Sequence, residues 1–292
     1  MRLFAGAVVQ GLVSGCVIAL LAAGVTLVHR STRVLNFAAG GLATFSTYVY
    51  YQFVVTWGWP AAAALPLALL ISIPVGLAAE LVAVRPLANG EAQTKTVGTI
   101  GLVLILQWAV VSIWGAEQRF LPALSSAGIS LGGIRIGAQH LAIAAATLAV
   151  GLGLGFALSR TRAGLALSAT AQDAGAARLL GVSPRAVSLA TFGIAGFTGA
   201  LAGILATPLQ VLTPSQMTLI FVVALGASLA GGFESLPVTV GAGLALGVVQ
   251  SLVTVYAPLS GLPQAAGFFA VLIVLLVVRR RINLVELLRG TA

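Results

Sequence analysis

The chain is a succession of apolar runs, each near twenty residues long, separated by short segments that hold nearly all of its charge. About twenty consecutive apolar residues is the length an α-helix needs to cross the hydrocarbon of a bilayer. A transmembrane β-barrel alternates apolar and polar residues over segments of about ten, and these runs are continuous. Only 7% of the 292 residues are charged and 59% are hydrophobic, whereas a soluble domain carries about a quarter charged. The fold expected is all-α: one transmembrane domain over 1–292, a polytopic helical bundle with about eight or nine membrane segments. The runs predict spans near 5–28, 36–57, 61–83, 97–115, 139–159, 187–207, 217–231, 237–256 and 263–278. The N-terminal run reads as a retained first span, because no small-residue cleavage site followed by polar sequence comes after it.

The charges orient the bundle. Arg30, Arg33, Arg85, Lys95, Arg160, Arg162, Arg178, Arg185, Arg279, Arg280, Arg281 and Arg289 fall on one side of this pattern; Arg2, Arg119 and Arg135 fall on the other. Cytoplasmic loops are enriched in Lys and Arg, so the first side is cytoplasmic, the N-terminus outside and the C-terminus inside. The net charge of +9 is accounted for by these loops, and a nucleic-acid partner is not expected. Cys16 is the single cysteine, which excludes an intrachain disulfide and a cysteine metal site. His29 and His140 lie far apart at segment ends and read as interface residues. The scarcity of carboxylates within the spans, with Glu80 near a cytoplasmic end, argues against an ion-coupled carrier.

Four stretches stand out. Leu35-Asn36-Phe37-Ala38-Ala39-Gly40-Gly41 is a polar, glycine-rich entry to a span, costly in lipid unless it lines a cavity or packs on protein. Asn36 there either faces a path, bonds a neighbouring helix or caps the helix that follows. The segment 160–186 is a large cytoplasmic loop. Its stretch 165–180 favours one helix with an imperfect apolar face of Leu165, Ala169, Ala176, Leu179 and Leu180, ended by Gly181 with Pro184 beyond. Such a helix either docks on a partner or lies on lipid headgroups. Residues 217–256 read as two spans or a re-entrant pair broken at Gly231–Pro237, with Glu234 as a surface loop charge. The outer loop 116–138 suits a turn or a short hairpin.

Taken together, these residues resemble the permease subunits of bacterial ABC importers for branched-chain amino acids, essentially end to end. The resemblance is carried by Gly24-Val25-Thr26-Leu27 with Val34-Leu35-Asn36-Phe37-Ala38, and by Arg85-Pro86-Leu87 with Gly98-Thr99-Ile100-Gly101-Leu102 and Leu106-Gln107. Gly175-Ala176-Ala177-Arg178-Leu179-Leu180-Gly181 and Gly231-Gly232-Phe233-Glu234-Ser235-Leu236-Pro237 complete it. The chain departs from the family pattern at Ala39, Gly41 and Gly175. The resemblance implies a non-catalytic subunit in the bacterial cytoplasmic membrane that pairs with a second permease, identical or homologous. It implies two cytoplasmic ATPases, which hold the ATP and Mg, an external substrate-binding protein, and no cofactor in this chain. Asp173, Ala176, Ala177, Arg178, Leu180 and Gly181 would couple to the ATPases, and Asn36, Phe37, Gly40 and Gln107 would line the substrate path. Relatives that carry urea or short amides leave those, or another small polar solute, open as the alternative, with an autonomous secondary transporter as the rival from another class.

Overall fold

In a computed structural model, residues 2–87, 90–123, 128–131, 134–257 and 269 are described. The chain runs through ten α-helices within these residues: α1 (Arg2–Thr32), α2 (Ala38–Tyr51), α3 (Ala61–Ala79), α4 (Ala92–Trp114), α5 (Ala138–Arg160), α6 (Arg162–Gln172), α7 (Ala174–Leu179), α8 (Pro184–Ala206), α9 (Gln216–Ala230) and α10 (Leu236–Tyr256). The outer loop contains an antiparallel hairpin, β1 (Gly128–Leu131) and β2 (Ile134–Gly137), with Gly128 opposite Gly137. That pair of short strands is the departure from an all-α chain, in the loop where a hairpin was one of the two expectations.

Among the described residues, six helices are long and apolar enough to cross a membrane: Leu3–Thr32, Ala61–Leu87, Ala92–Trp114, Ala138–Arg160, Pro184–Leu209 and Leu236–Tyr256. They match six of the nine expected spans, and the chain is a multi-pass membrane protein. The predicted second and seventh spans are different in kind. Helix α2 has 14 residues, prolonged by a π turn over Gln52–Thr56, and α9 has 15. At about 1.5 Å per residue α9 gives about 23 Å, well short of the roughly 30 Å of hydrocarbon, while α2 with its π turn comes to about 28 Å. Apart from Phe269, the predicted span at 263–278 and the four C-terminal arginines lie outside the described residues.

The bundle is built inside out. Helices α1 and α8 are largely enclosed by protein, while α4, α5 and α10 turn most of their surface outward. Helix α2 is enclosed as well, packed against α3, α4, α8 and α9. Glycine makes the tightest seam: α1 crosses α10 so closely that a Cβ on Gly247 would collide with the backbone of Gly15, and one on Gly15 would stand 2.7 Å from the Cα of Leu244. Small residues let membrane helices approach to backbone contact, and dispersion contacts then accumulate along the crossing. Hydrogen bonds stitch the same region: Ser251 Oγ donates to the Ala7 carbonyl at 2.7 Å, Ser228 Oγ to Ala22 at 3.0 Å, and Thr26 and Thr239 share a bond at 3.3 Å.

The loops gather at two ends. Arg30 donates to Ser168 Oγ (3.2 Å) and to the Glu234 carbonyl (3.5 Å); Arg33 donates to the Ala171 carbonyl (3.2 Å) and lies 3.4 Å from Glu234 Oε1. The α1–α2, α6–α7 and α9–α10 connections therefore share one end. Glu234 is exposed there, with 65% of its side chain accessible, so it is the surface charge expected rather than a buried tip. At the opposite end, Arg119 and Leu212 exchange backbone hydrogen bonds of 3.0 Å in each direction, joining the α4–α5 loop to the α8–α9 connection.

Candidate functional site

The polar entry to α2 forms the site's first wall. Val34 to Asn36 are non-helical, and α2 begins only after Phe37. The capping role considered for Asn36 is not what the structure has: the residue at the cap position is Phe37, in helical conformation and without a side-chain cap bond. Asn36 is fully buried, and neither its Oδ1 nor its Nδ2 has a hydrogen-bond partner. Leaving a buried amide unpaired costs about 1–3 kcal/mol per group. The turn around it is held instead by Thr99 of α4: its Oγ1 accepts from the Phe37 amide at 3.1 Å and lies 3.1 Å from the Leu35 carbonyl.

The other path candidates converge on α9. Phe37 meets Phe221 edge to face, with ring centroids 5.6 Å apart. Gly40 lies one helical turn beyond Asn36, and a Cβ on it would stand 3.0 Å from both Thr218 Cα and Phe221 Cβ. Gln107, from α4, donates to Thr218 Oγ1 at 3.1 Å. Asn36, Phe37 and Gly40 thus belong to the start of α2, Phe37 and Gly40 face α9, and Gln107 reaches α9 from α4. Phe37 also packs with Val25, Ala39, Phe221, Leu225 and Phe233 in an apolar cluster near the Arg33–Glu234 end. Thr99, Thr218 and Phe221 are additions that sequence reasoning missed. Their signal was the pairing of a too-short apolar helix with a polar residue and an aromatic one turn apart (Thr218, Phe221).

The second site is the 160–186 segment. The single helix expected over 165–180 is broken at Asp173, whose backbone is extended (φ −151, ψ 106). The Asp173 carboxylate accepts from the Gly175 and Ala176 amides at 2.7 and 3.0 Å. This is an N-cap, and it starts a separate six-residue helix, α7. The other end closes as a Schellman motif: the Val182 amide donates to the Ala177 carbonyl and the Gly181 amide to the Arg178 carbonyl, both at 3.0 Å. Gly181 takes φ +81 there, a conformation that costs other residues a Cβ clash. The expected apolar face is overturned with the break. Leu165, Leu179 and Leu180 are 72%, 90% and 80% exposed, while Gly164, Leu167, Thr170 and Ala177 face inward. Of the coupling candidates, Ala177 is buried, and Asp173, Ala176, Arg178, Leu180 and Gly181 are exposed.

Glu80, the carboxylate nearest a span interior, is 4% exposed. Its Oε1 accepts from Ser188 Oγ at 3.3 Å.

Comparison with known proteins bears on both sites. The chain matches the family described as "Branched-chain amino acid transport system / permease component" over residues 7–278. It is 29% identical over 283 residues to the high-affinity branched-chain amino acid transport system permease protein LivH of Escherichia coli, covering 92% of this chain and 91% of that protein. It is 28% identical over 257 residues to the permease protein BraD of Pseudomonas aeruginosa (83% and 84% covered). With the probable permease LivH of Methanocaldococcus jannaschii it shares 27% identity over 248 residues (81% and 77% covered). A match of this extent takes in the α2 entry, α7 and the α9–α10 turn alike, and the chain belongs to the permease component family of branched-chain amino acid transport systems.

Proposed function

We propose that this chain is the membrane subunit of an ABC importer and translocates branched-chain or other small amino acids delivered by an external binding protein. The observation that carries the proposal is the family match over residues 7–278, together with relatives in bacteria and an archaeon named as branched-chain amino acid permeases. The subunit works in the cytoplasmic membrane, with the arginine-rich loops inside. Helices α2 and α9 join the six long helices as membrane segments, eight among the described residues.

The geometry supports a division of labour. Helix α7, capped at both ends and bearing exposed Leu179 and Leu180, fits the groove of a cytoplasmic ATPase. Leucines held out by a preformed helix lose little conformational freedom on docking. ATP binding and hydrolysis, with their Mg, belong to two such subunits. Their closure moves α7 and, through α6, the Arg30–Arg33 turn that leads into Asn36 and Phe37. Rocking α2 against α9 would part Phe37 from Phe221 and expose the Asn36 amide to passing solute. A second permease, identical or homologous, completes the path.

The test is purification of the tagged chain from native membranes in mild detergent, with co-purifying proteins identified by mass spectrometry. An ATPase pair and a second permease are expected. A stable complex without an ATPase across several detergent strengths sinks the reading.

A further inference from the structure

The end of the bundle opposite α7 holds polar groups that neither the fold nor the α2 entry uses. Tyr48 is fully buried, and its hydroxyl has no hydrogen-bond partner. Its ring leans on Trp114 (5.5 Å between centroids) and Tyr51 (6.4 Å). The Arg119 guanidinium meets the same two residues: it stands 5.9 Å over the Tyr51 ring, and Nη2 donates to the Trp114 carbonyl at 2.9 Å. Glu117 is its ion-pair neighbour, at 3.8 Å and exposed. Arg119 Nε is buried without a partner. Two unpaired N–H and O–H donors are thus packed on one aromatic pair.

An unpaired acceptor lies on the strand of chain that Arg119 anchors. The backbone exchange between Arg119 and Leu212 fixes the segment leading into α9. On that segment Gln216 donates its Nε2 to Gln210 Oε1 at 2.7 Å, leaving Gln216 Oε1 buried and unpartnered. Leu121 and Leu212 are buried in one apolar cluster with Tyr48 and Tyr51. Two donors, one of them cationic, an acceptor and an apolar wall match the head group and side chain of an α-amino acid zwitterion. Buried polar groups are normally paired, and a carboxylate makes strong, charge-assisted hydrogen bonds to a guanidinium; the Arg119 side chain, 35% accessible, can be reached from outside.

We infer that Arg119 and Tyr48 receive the carboxylate of an α-amino acid at the extracytoplasmic mouth of the path, with Gln216 Oε1 accepting from its ammonium group. The inference rests on the proposed function and specifies its ligand chemistry.

The test uses the whole transporter, reconstituted with its partners in proteoliposomes loaded with ATP, and radiolabelled leucine presented on the external binding protein. Arg119→Gln is expected to lower initial uptake at least about ten-fold, the size of one lost charge-assisted hydrogen bond. Arg119→Lys, which keeps the charge and loses the fork, recovers part of the rate. Tyr48→Phe deletes only a hydroxyl with no partner in the protein. A merely structural Tyr48 predicts unchanged uptake and equal or higher thermal stability; the inference predicts uptake reduced about five-fold with stability retained. Arg119→Gln uptake within two-fold of the unaltered complex overturns the inference. So does a Tyr48→Phe complex that assembles and transports normally, including where Arg119→Gln fails to assemble. An unaltered complex that assembles with its ATPases yet moves no α-amino acid fails the functional reading itself, before any variant is compared.

Discussion

The α1–α10 crossing and the α2–α9 crossing are both buried helix pairs, and they are built on opposite terms. In the first, glycines bring backbones into contact and the hydroxyls of Ser251 and Thr26 both find partners. In the second, Gly40 also permits close approach, but the neighbouring Asn36 amide is left with nothing. A membrane interior tolerates unpaired polar groups poorly. A crossing that satisfies them is scaffold; one that leaves them open is poised for a visitor or for a second arrangement. On the proposed function, the difference separates the part of the chain that holds shape from the part that would move.

The largest effect should come from forcing the tight crossing. Gly247→Val places a branched side chain against the Gly15 backbone and should cost about 3 kcal/mol of bundle stability. Detergent-purified yield and melting temperature should both collapse, and a variant of unchanged stability would break the scaffold assignment. The opposite sign is expected at the open crossing. Asn36→Leu removes two unpaired buried atoms and should leave stability unchanged or raise it by about 1 kcal/mol, while leucine uptake in the reconstituted complex is lost. Loss of stability with uptake preserved would exchange the roles of the two crossings.

Smaller effects probe the link between them. Asp173→Ala removes the α7 cap and should destabilise that helix by about 1 kcal/mol; hydrogen exchange at the Gly175 and Ala176 amides should speed up without a change in the rest of the bundle. Arg33→Ala deletes an ion pair whose side chains are 55% and 65% exposed, worth less than about 1 kcal/mol. The expected result is an unmoved melting temperature with weaker coupling of ATP hydrolysis to uptake, and unaltered coupling would remove Arg33 from the link.

Much of this was legible in the sequence because bilayer thickness imposes a length on every crossing, and six spans could be read directly. The loop arginines likewise marked two connections that share an end, 29–33 and 160–186, as the Arg30–Ser168 and Arg33–Ala171 hydrogen bonds bear out. The break at Asp173 was not read, because alanine and leucine favour helix on both sides of it. A single aspartate capping the downstream half outweighs that preference, and it turns Leu179 and Leu180 outward. Asn36 illustrates the converse. Its residue type suits a cap, yet the helix begins one residue later, where Thr99 from another helix holds the turn. Tertiary partners of that kind leave no local trace. Arg119 was visible as a charge on the sparsely charged side, but its place over Tyr51 depends on a backbone bridge to Leu212, 93 residues away.

The shortness of α9, about 23 Å of α-helix, has a consequence for energetics across the membrane. In the proposed transporter, water reaching both ends of that helix would leave an insulating septum thinner than the lipid around it, and the transmembrane potential would fall mostly across that septum. A zwitterion crossing it exchanges little net charge with the field and feels chiefly the dehydration of its two ends, over a distance of about four helical turns.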